Sequence, residues 1–288
     1  MIQSMTGYAV AAAASPRGAL SLELRTVNAR FLDLQFRIAD ELRPLEPLLR
    51  ERIVARIARG KIDCRLSFSD EAGSRRPQTL NPEAVARLRS LAEEARKAIP
   101  DAAPLRLADV LRWPGVVAEA TLDDADTRAT VERLAAQALD DLLGARAREG
   151  ARLAASVRQR VLEMRRRLEE VAPLVPQALA AYKARLAERL REAIGSADED
   201  RIRAELAVFG AKIDVDEEFT RLGAHLAEVE RALERGGAIG KRLDFLAQEL
   251  NREANTLASK AASQKIADCA LELKLLVEQI REQVQNIE

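Results

Sequence analysis

Apolar residues recur at helical spacing through most of the second half of the chain. In the last segment the spacing alternates strictly between four and three, which is typical of a helix with one buried stripe. The residues of this stripe are Ile266, Ala270, Leu273, Val277, Ile280, Val284 and Ile287. A helix with this stripe must bury it against other helices. The spacing does not decide whether those helices belong to the same chain or to a second subunit.

The same periodicity predicts a helical stretch from Asp126 onward and two further helices before the last one. Pro173 and Pro176 fall inside the long stretch and should kink or interrupt it. A polar break is predicted at 195–200. At 214–217 the spacing fits a capping box in which Asp214 caps the next helix. A glycine-rich loop at 235–241 then separates that helix from a helix over 241–260.

The first seventy residues show β-strand alternation interrupted by one helical segment. Strands are predicted over 2–14 and 19–28, joined by a turn at 15–18, with extended structure over 27–38. A helix over 45–58 and a strand over 61–68 follow, and after a loop at 71–79 a helix is predicted to start at Asn81 and Pro82. The pattern indicates an antiparallel sheet with a helix on one face.

These elements predict an α+β protein. It has an N-terminal antiparallel sheet with a helix, followed by long helices and a C-terminal helical domain with a coiled-coil-like seam. We place an N-terminal α+β domain at 1–125 and a long basic helical segment, interrupted by proline, at 126–200. A C-terminal helical domain, predicted to carry the functional site, occupies 201–288.

Charge and cysteine content narrow the classes of function. The 46 basic and 46 acidic residues cancel, which argues against indiscriminate nucleic-acid binding. Basic residues are nonetheless concentrated at 25–65 and 146–191, where solvated helix faces and phosphate contacts are both open interpretations. Cys64 and Cys269 are predicted to be buried free thiols. Neither a signal peptide nor a membrane span is recognisable, so a cytoplasmic protein is expected.

The predicted helix 241–260 has an unusual polar surface. Asp244, Gln248, Arg252 and Asn255 are spaced so that they share one face, and Glu249 and Glu253 form a second row beside it. A face with this many amides and paired acids is uncommon on a solvated helix. Charge pairs four residues apart would also explain it, so both interpretations stay open at this point.

His225, the only histidine, lies on the preceding helix, away from its apolar stripe, so it is not an obvious core residue. Imidazole is suited to proton transfer as a general acid or base. The nearby acids lack a thiolate partner and would therefore select a hard ion such as Mg²⁺ or Mn²⁺. These acids are Asp214, Glu217, Glu218, Asp244, Glu249 and Glu253. For Asp214 and Glu217 we favour roles in capping and on the helix surface.

Several blocks of sequence resemble the YicC/YloC-type endoribonucleases over nearly the whole chain. The most specific block is QELNREANT at 248–256, and REQVQNIE at 281–288 is similarly close. The other matching blocks are 4–8, 25–32, 45–47, 59–61, 112–116, 148–150, 217–226 and 240–246. The resemblance implies an RNA endonuclease that depends on a divalent metal and assembles as a homo-hexamer around an RNA-accepting cavity.

Matched motifs and side-chain chemistry together suggest roles for individual residues. His225, Asp244, Glu249 and Glu253 are the catalytic candidates, with His225 as general acid or base. Metal is assigned to Glu218, Asp244, Glu249 and Glu253. RNA contacts are assigned to Arg221, Lys241, Arg242, Gln248, Arg252, Asn255 and Lys260.

Two other functions remain open. The chain could be a non-catalytic, oligomeric RNA-binding adaptor that presents RNA to other nucleases, with RNA-decay proteins as partners. It could also be a purely structural helical scaffold. Metal-dependent cleavage separates the enzyme from the adaptor, and RNA binding at low salt separates the adaptor from the scaffold.

Overall fold

A computed structural model describes residues 1–15, 18–69, 79–101, 103–118, 124–194 and 199–288. The strands are β1 Gly7–Ser15, β2 Gly18–Val27, β3 Leu32–Ile38, β4 Gly60–Ser69, β5 Thr79–Leu80 and β6 Val117–Ala118. The helices are α1 Glu46–Val54, α2 Pro82–Ala98, α3 Leu107–Arg112, α4 Asp124–Val171, α5 Val175–Ile194, α6 Glu199–Lys212, α7 Asp216–Arg235, α8 Gly240–Lys260 and α9 Gln264–Val284. The α+β class is confirmed.

The chain forms two compact units. The N-terminal unit is Tyr8–Leu142, and the helical unit combines Met1–Gly7 with Leu143–Glu288. Helix α4 contributes its first part to the N-terminal unit and its second part to the helical unit.

The four-stranded sheet of the N-terminal unit has the order β1-β2-β4-β3. Strands β2 and β4 are antiparallel, but β3 and β4 are parallel, so the prediction of an entirely antiparallel sheet is wrong for this pair. The reason is the connection: α1 lies between β3 and β4 and returns the chain to the end where β3 began. One face of the sheet is apolar, and Leu22 lies opposite Leu66 on it with both side chains buried.

Both cysteines are buried free thiols, as the sequence predicts. Burial, followed by the neighbouring Asp63, raises the pKa of Cys64 to about 12. Burial, followed by Glu272, raises the pKa of Cys269 to about 11. The fold disfavours both thiolates. The stability linked to the protonated thiols is therefore present below the ordinary thiol pKa and is lost as the pH rises through these values.

Local helix signals are confirmed in two places. Asn81 caps α2, because its Oδ1 accepts hydrogen bonds from the backbone N–H groups of Glu83 (3.1 Å) and Ala84 (3.3 Å). The proline pair interrupts the long helix, since a short 3-10 helix, Ala172–Leu174, separates α4 from α5. The predicted turn at 15–18, loop at 71–79 and break at 195–200 lie largely outside the described residues.

The predicted capping box at the start of α7 is wrong. Val215 occupies the cap position, and no side chain there bonds to the helix. Asp214 instead accepts a hydrogen bond at 3.0 Å from the backbone N–H of Asp216, the first residue of α7, two residues along the chain.

The core of the helical unit is formed by the second part of α4 together with α7, α8 and α9. Every residue of the α9 stripe, from Ile266 to Ile287, is buried in this core. Ion pairs also join α4 to two of these helices. Arg165 pairs with Glu230 of α7 at 2.8 Å, and Arg167 pairs with Glu272 of α9 at 2.9 Å. The open question about the stripe is thereby answered, because it packs within its own chain.

The first and last residues of the chain are held together within the helical unit. Ser4 forms a β-bridge with Ile287, and Met5 donates its backbone N–H to Asn286 at 2.8 Å. Gly240, at the start of α8, is so close to the backbone of Ile287 that a methyl group there would overlap its carbonyl oxygen. A backbone approach this tight requires glycine at position 240.

No helix in the described part of the chain is both long enough and apolar enough to cross a bilayer.

Candidate functional site

Helices α7 and α8 form an antiparallel hairpin that carries most of the predicted site residues. The turn between them contains Gly236 and Gly237, which adopt φ angles of 64° and 78° that favour glycine. Leu222 and Leu226 of α7 and Leu250 of α8 are among the side chains buried in the core. These leucines belong to the apolar stripes along which α7 and α8 pack. Polar side chains of the two helices that border the stripes therefore lie opposite each other.

Ion pairs cross the hairpin along its length. Lys260 Nζ lies 2.8 Å from Glu218 Oε1 near the open end, and Arg242 Nη2 lies 3.3 Å from Glu228 Oε1 near the turn. Between them, Arg221 Nη1 lies 3.5 Å from Glu253 Oε1. The hairpin is therefore closed at both ends by charge pairs that frame a central polar region.

The central region groups three residues that could bind a metal ion. His225 of α7 faces Glu249 and Glu253 of α8, and one ligand atom from each of the three lies within 4.8 Å of the others. Glu249 and Glu253 are one turn apart and present their carboxylates on the same face. Glu253 is only 5% exposed, whereas His225 and Glu249 are half-buried.

The donor set fits a divalent cation. Donors bound to one ion at about 2.1 Å lie roughly 3 Å apart at neighbouring octahedral positions, so these side chains would have to move inward to bind one ion together. One imidazole and two carboxylates combine a nitrogen donor with hard oxygen donors, which suits Mn²⁺ better than Mg²⁺. A carboxylate buried as deeply as Glu253 is also best stabilised by a nearby positive charge.

The structure places the other two predicted metal ligands elsewhere. Asp244 lies more than a turn before Glu249, and its Oδ2 accepts a hydrogen bond from Gln248 Nε2 at 2.9 Å. Glu218 is buried and paired with Lys260, and its second oxygen, Oε2, has no hydrogen-bond partner among the described residues. Neither residue joins the cluster of His225, Glu249 and Glu253.

The predicted RNA contacts differ in how freely their side chains are available. Arg242 pairs with Glu228 and lies over the ring of Phe245 at 5.8 Å, and Lys260 is committed to Glu218. Asn255 donates to Asn251 Oδ1 at 3.2 Å. Lys241 and Arg252 are exposed, and in the described part of the chain neither forms an ion pair. Among the predicted RNA-binding cations, these two are therefore the ones that no acid of the described residues holds.

The basic segment 146–191 is engaged largely in contacts within the protein. Arg146, Arg165 and Arg167 each pair with an acid from a distant part of the chain. Arg166 pairs with Glu163 on its own helix, and this contact raises the pKa of Arg166 and lowers that of Glu163. For these residues the structure favours a role in stabilising the helical unit.

Two features of the site were missed by the sequence interpretation. Glu217, assigned to the helix surface, pairs with Arg221, which also contacts Glu253. The pairing across the hairpin was detectable in principle, since Arg221 and Glu253 are equally far from Gly237 along the chain, as are His225 and Glu249. In a tight antiparallel hairpin such residues face each other.

Comparison with known proteins identifies the family. A model described as "Endoribonuclease YicC-like, N-terminal region" matches residues 2–155, and "Endoribonuclease YicC-like, C-terminal" matches residues 171–288. The chain therefore belongs to the YicC-like endoribonuclease family, and the resemblance found in the sequence is confirmed.

Two relatives have the same extent as this chain. A protein named probable endoribonuclease YicC from Haemophilus influenzae is 38% identical over 293 residues, covering all of both chains. Another of that name from Clostridioides difficile is 27% identical over 294 residues, again with complete coverage of both.

Proposed function

We propose that this protein is a metal-dependent endoribonuclease that cleaves phosphodiester bonds in structured RNA. The observation that carries the proposal is the cluster of His225, Glu249 and Glu253, whose donor atoms lie within 4.8 Å of one another. The names of the family and of the relatives support the ribonuclease activity, and the donor set supports the dependence on metal.

In the proposed site, His225, Glu249 and Glu253 hold the ion between α7 and α8. This geometry changes the role that we assign to His225 from proton transfer to metal binding, because its ring lies beside two carboxylates. A divalent cation held there would supply charge stabilisation to a phosphodiester and would activate water. Burial of Glu253 keeps its carboxylate in place between the helices.

Cations beside the cluster would bind the RNA backbone. Arg252 is exposed on the face of α8 beside the row of Glu249 and Glu253, so its guanidinium would bind a phosphate that approaches the ion. Lys241 is exposed near the turn and would contact a phosphate further along the strand. Gln248 and Asn255 are exposed on the same helix and would position the ribose or the attacking group.

Cleavage of an end-labelled structured RNA tests this function. The purified protein is incubated with Mn²⁺, with Mg²⁺ or with EDTA, and the products are resolved at nucleotide resolution. We expect discrete internal cuts that require metal and are faster with Mn²⁺ than with Mg²⁺, since imidazole is one of the donors. RNA retention without cuts at any metal concentration would favour the adaptor function instead.

We also propose that the protein is cytoplasmic and assembles as a homo-hexamer, as the sequence resemblance implies. Residues 79–118 of the N-terminal unit expose an unusual number of large apolar side chains for a protein surface. They are Leu80, Leu91, Ile99, Leu105, Leu107, Leu111 and Trp113. An open groove of about 740 Å³ lies between α2 and α3 in this region. A second copy of the chain would cover this surface.

Replacing Leu107 by Asp is expected to weaken the assembly. Leu107 is 74% exposed, so a charge there leaves the isolated subunit folded but opposes burial at a subunit contact. Light scattering coupled to size exclusion should show a smaller mass. Trp113 is the only tryptophan, so its emission should shift to longer wavelength as the contact opens.

Leu162→Asp is the matched control, because Leu162 is 62% exposed on α4 in the helical unit. It should keep the mass of the parent. A Leu107→Asp protein with the parent's mass would show that this surface is not a subunit contact.

A further inference from the structure

Arg221 occupies a distinctive place beside the proposed metal site. Among the described residues, it is the one cation that the structure places against a carboxylate of the donor cluster, 3.5 Å from Glu253 Oε1. It lies one turn before His225 on the same face of α7. At 3.5 Å, the contact with Glu253 is an ion pair rather than a hydrogen bond of normal length.

Arg221 also has a second partner outside the cluster. Its Nη2 group donates to Glu217, which lies one turn earlier on α7 and is 65% exposed. The Arg221 side chain is itself 51% exposed. The guanidinium can therefore leave Glu253 and remain paired with Glu217 without any movement of the helices.

A guanidinium and a divalent ion would compete for the carboxylate of Glu253. The carboxylate is 5% exposed and would be costly to leave without a positive neighbour, so Arg221 stabilises it when no metal is bound. A metal ion on Glu253 replaces that charge and repels Arg221. The displaced Nη1 group would then be available to bind a phosphate at the site, while Nη2 keeps its contact with Glu217.

We infer that Arg221 exchanges partners when the site is loaded. It is the counter-ion of Glu253 in the metal-free protein and a ligand of the RNA phosphate in the metal-bound protein. This inference rests on the proposed function. The exchange couples the binding of metal to the binding of a phosphodiester strand, because each favours the state in which Arg221 has left Glu253. Each ligand therefore raises the affinity for the other by the same factor.

Titration of the intact protein with Mn²⁺, followed by electron paramagnetic resonance, tests the exchange. The titration is done with and without a 2′-O-methyl phosphorothioate oligonucleotide, which resists cleavage. In Arg221→Gln, Mn²⁺ alone should bind about fivefold more tightly than in the parent, because a competing charge has gone. The oligonucleotide should raise the Mn²⁺ affinity of both proteins, but the factor should be about fivefold smaller in the variant than in the parent.

Arg231→Gln is the matched control. Arg231 lies on the same helix and pairs with Glu228, but it contacts no donor of the cluster. It should bind Mn²⁺ as the parent does. An equal increase in Mn²⁺ affinity in Arg221→Gln and Arg231→Gln would show that the effect comes from net charge and would overturn the exchange. Identical Mn²⁺ binding in Arg221→Gln and the parent would also overturn it.

Glu249→Gln separates this inference from the proposed function. Loss of Mn²⁺ binding in Glu249→Gln, with unchanged binding in Arg221→Gln, overturns the exchange and leaves the metal site in place. Parent-like Mn²⁺ binding in Glu249→Gln overturns the proposed site itself, and the exchange with it.

Discussion

Replacing Glu249 by Gln is expected to slow metal-dependent RNA cleavage by about a hundredfold or more, with the fold and the assembly retained. The amide has nearly the same shape as the carboxylate but lacks the negative charge that holds a divalent ion. Glu249 is half-buried, and its side chain makes no contact that the helical core requires. His225→Ala should have a similar effect, because the cluster would lose its one nitrogen donor. Initial rates on end-labelled RNA at saturating Mn²⁺ give the comparison.

Asp244→Asn is the informative control for these variants. The sequence assigned Asp244 to the metal, yet the structure pairs it with Gln248 outside the cluster. We therefore expect Asp244→Asn to cleave at a rate within a few-fold of the parent. Parent-like rates in Glu249→Gln and His225→Ala, together with a loss in Asp244→Asn, would move the site toward the start of α8. Circular dichroism would verify that each variant is folded.

Replacing Arg146 by Met is expected to lower the free energy of unfolding of the helical unit by about 3 kcal/mol or more. Arg146 is 1% exposed, donates from Nε to the backbone oxygen of Ser4 at 2.6 Å, and pairs with Glu288. Glu288 is 19% exposed, so replacing Arg146 removes a cation from beside a largely buried carboxylate. Urea denaturation followed by circular dichroism gives the change.

Arg152→Met is the control for this effect. Arg152 lies on the same helix, is 81% exposed, and pairs with Glu149 at 3.6 Å. A surface pair of this kind contributes at most about 1 kcal/mol, so the variant should unfold at nearly the same urea concentration as the parent. If Arg146→Met were as stable as Arg152→Met, the buried contacts of Arg146 with Ser4 and Glu288 would have no net stabilising effect.

The sequence predicted best those parts of the structure that depend on residues close together in the chain. Spacings of three and four predicted α7, α8 and α9, and proline and asparagine predicted the break after α4 and the start of α2. Part of the candidate site followed from the same rule, because Glu249 and Glu253 must share a face of a helix that begins near position 240. Matched motifs added the family, which local patterns could not supply.

Contacts between distant residues were decided only by the tertiary structure. Strand β3 is parallel to β4 because of the helix between them, and Arg146 is buried because the two ends of the chain meet beside it. His225 joins Glu249 and Glu253, while Asp244 does not, because the hairpin turn fixes which turns of α7 and α8 face each other. Periodicity places a side chain on a face of its helix, whereas packing of the buried stripes selects its partner across the interface.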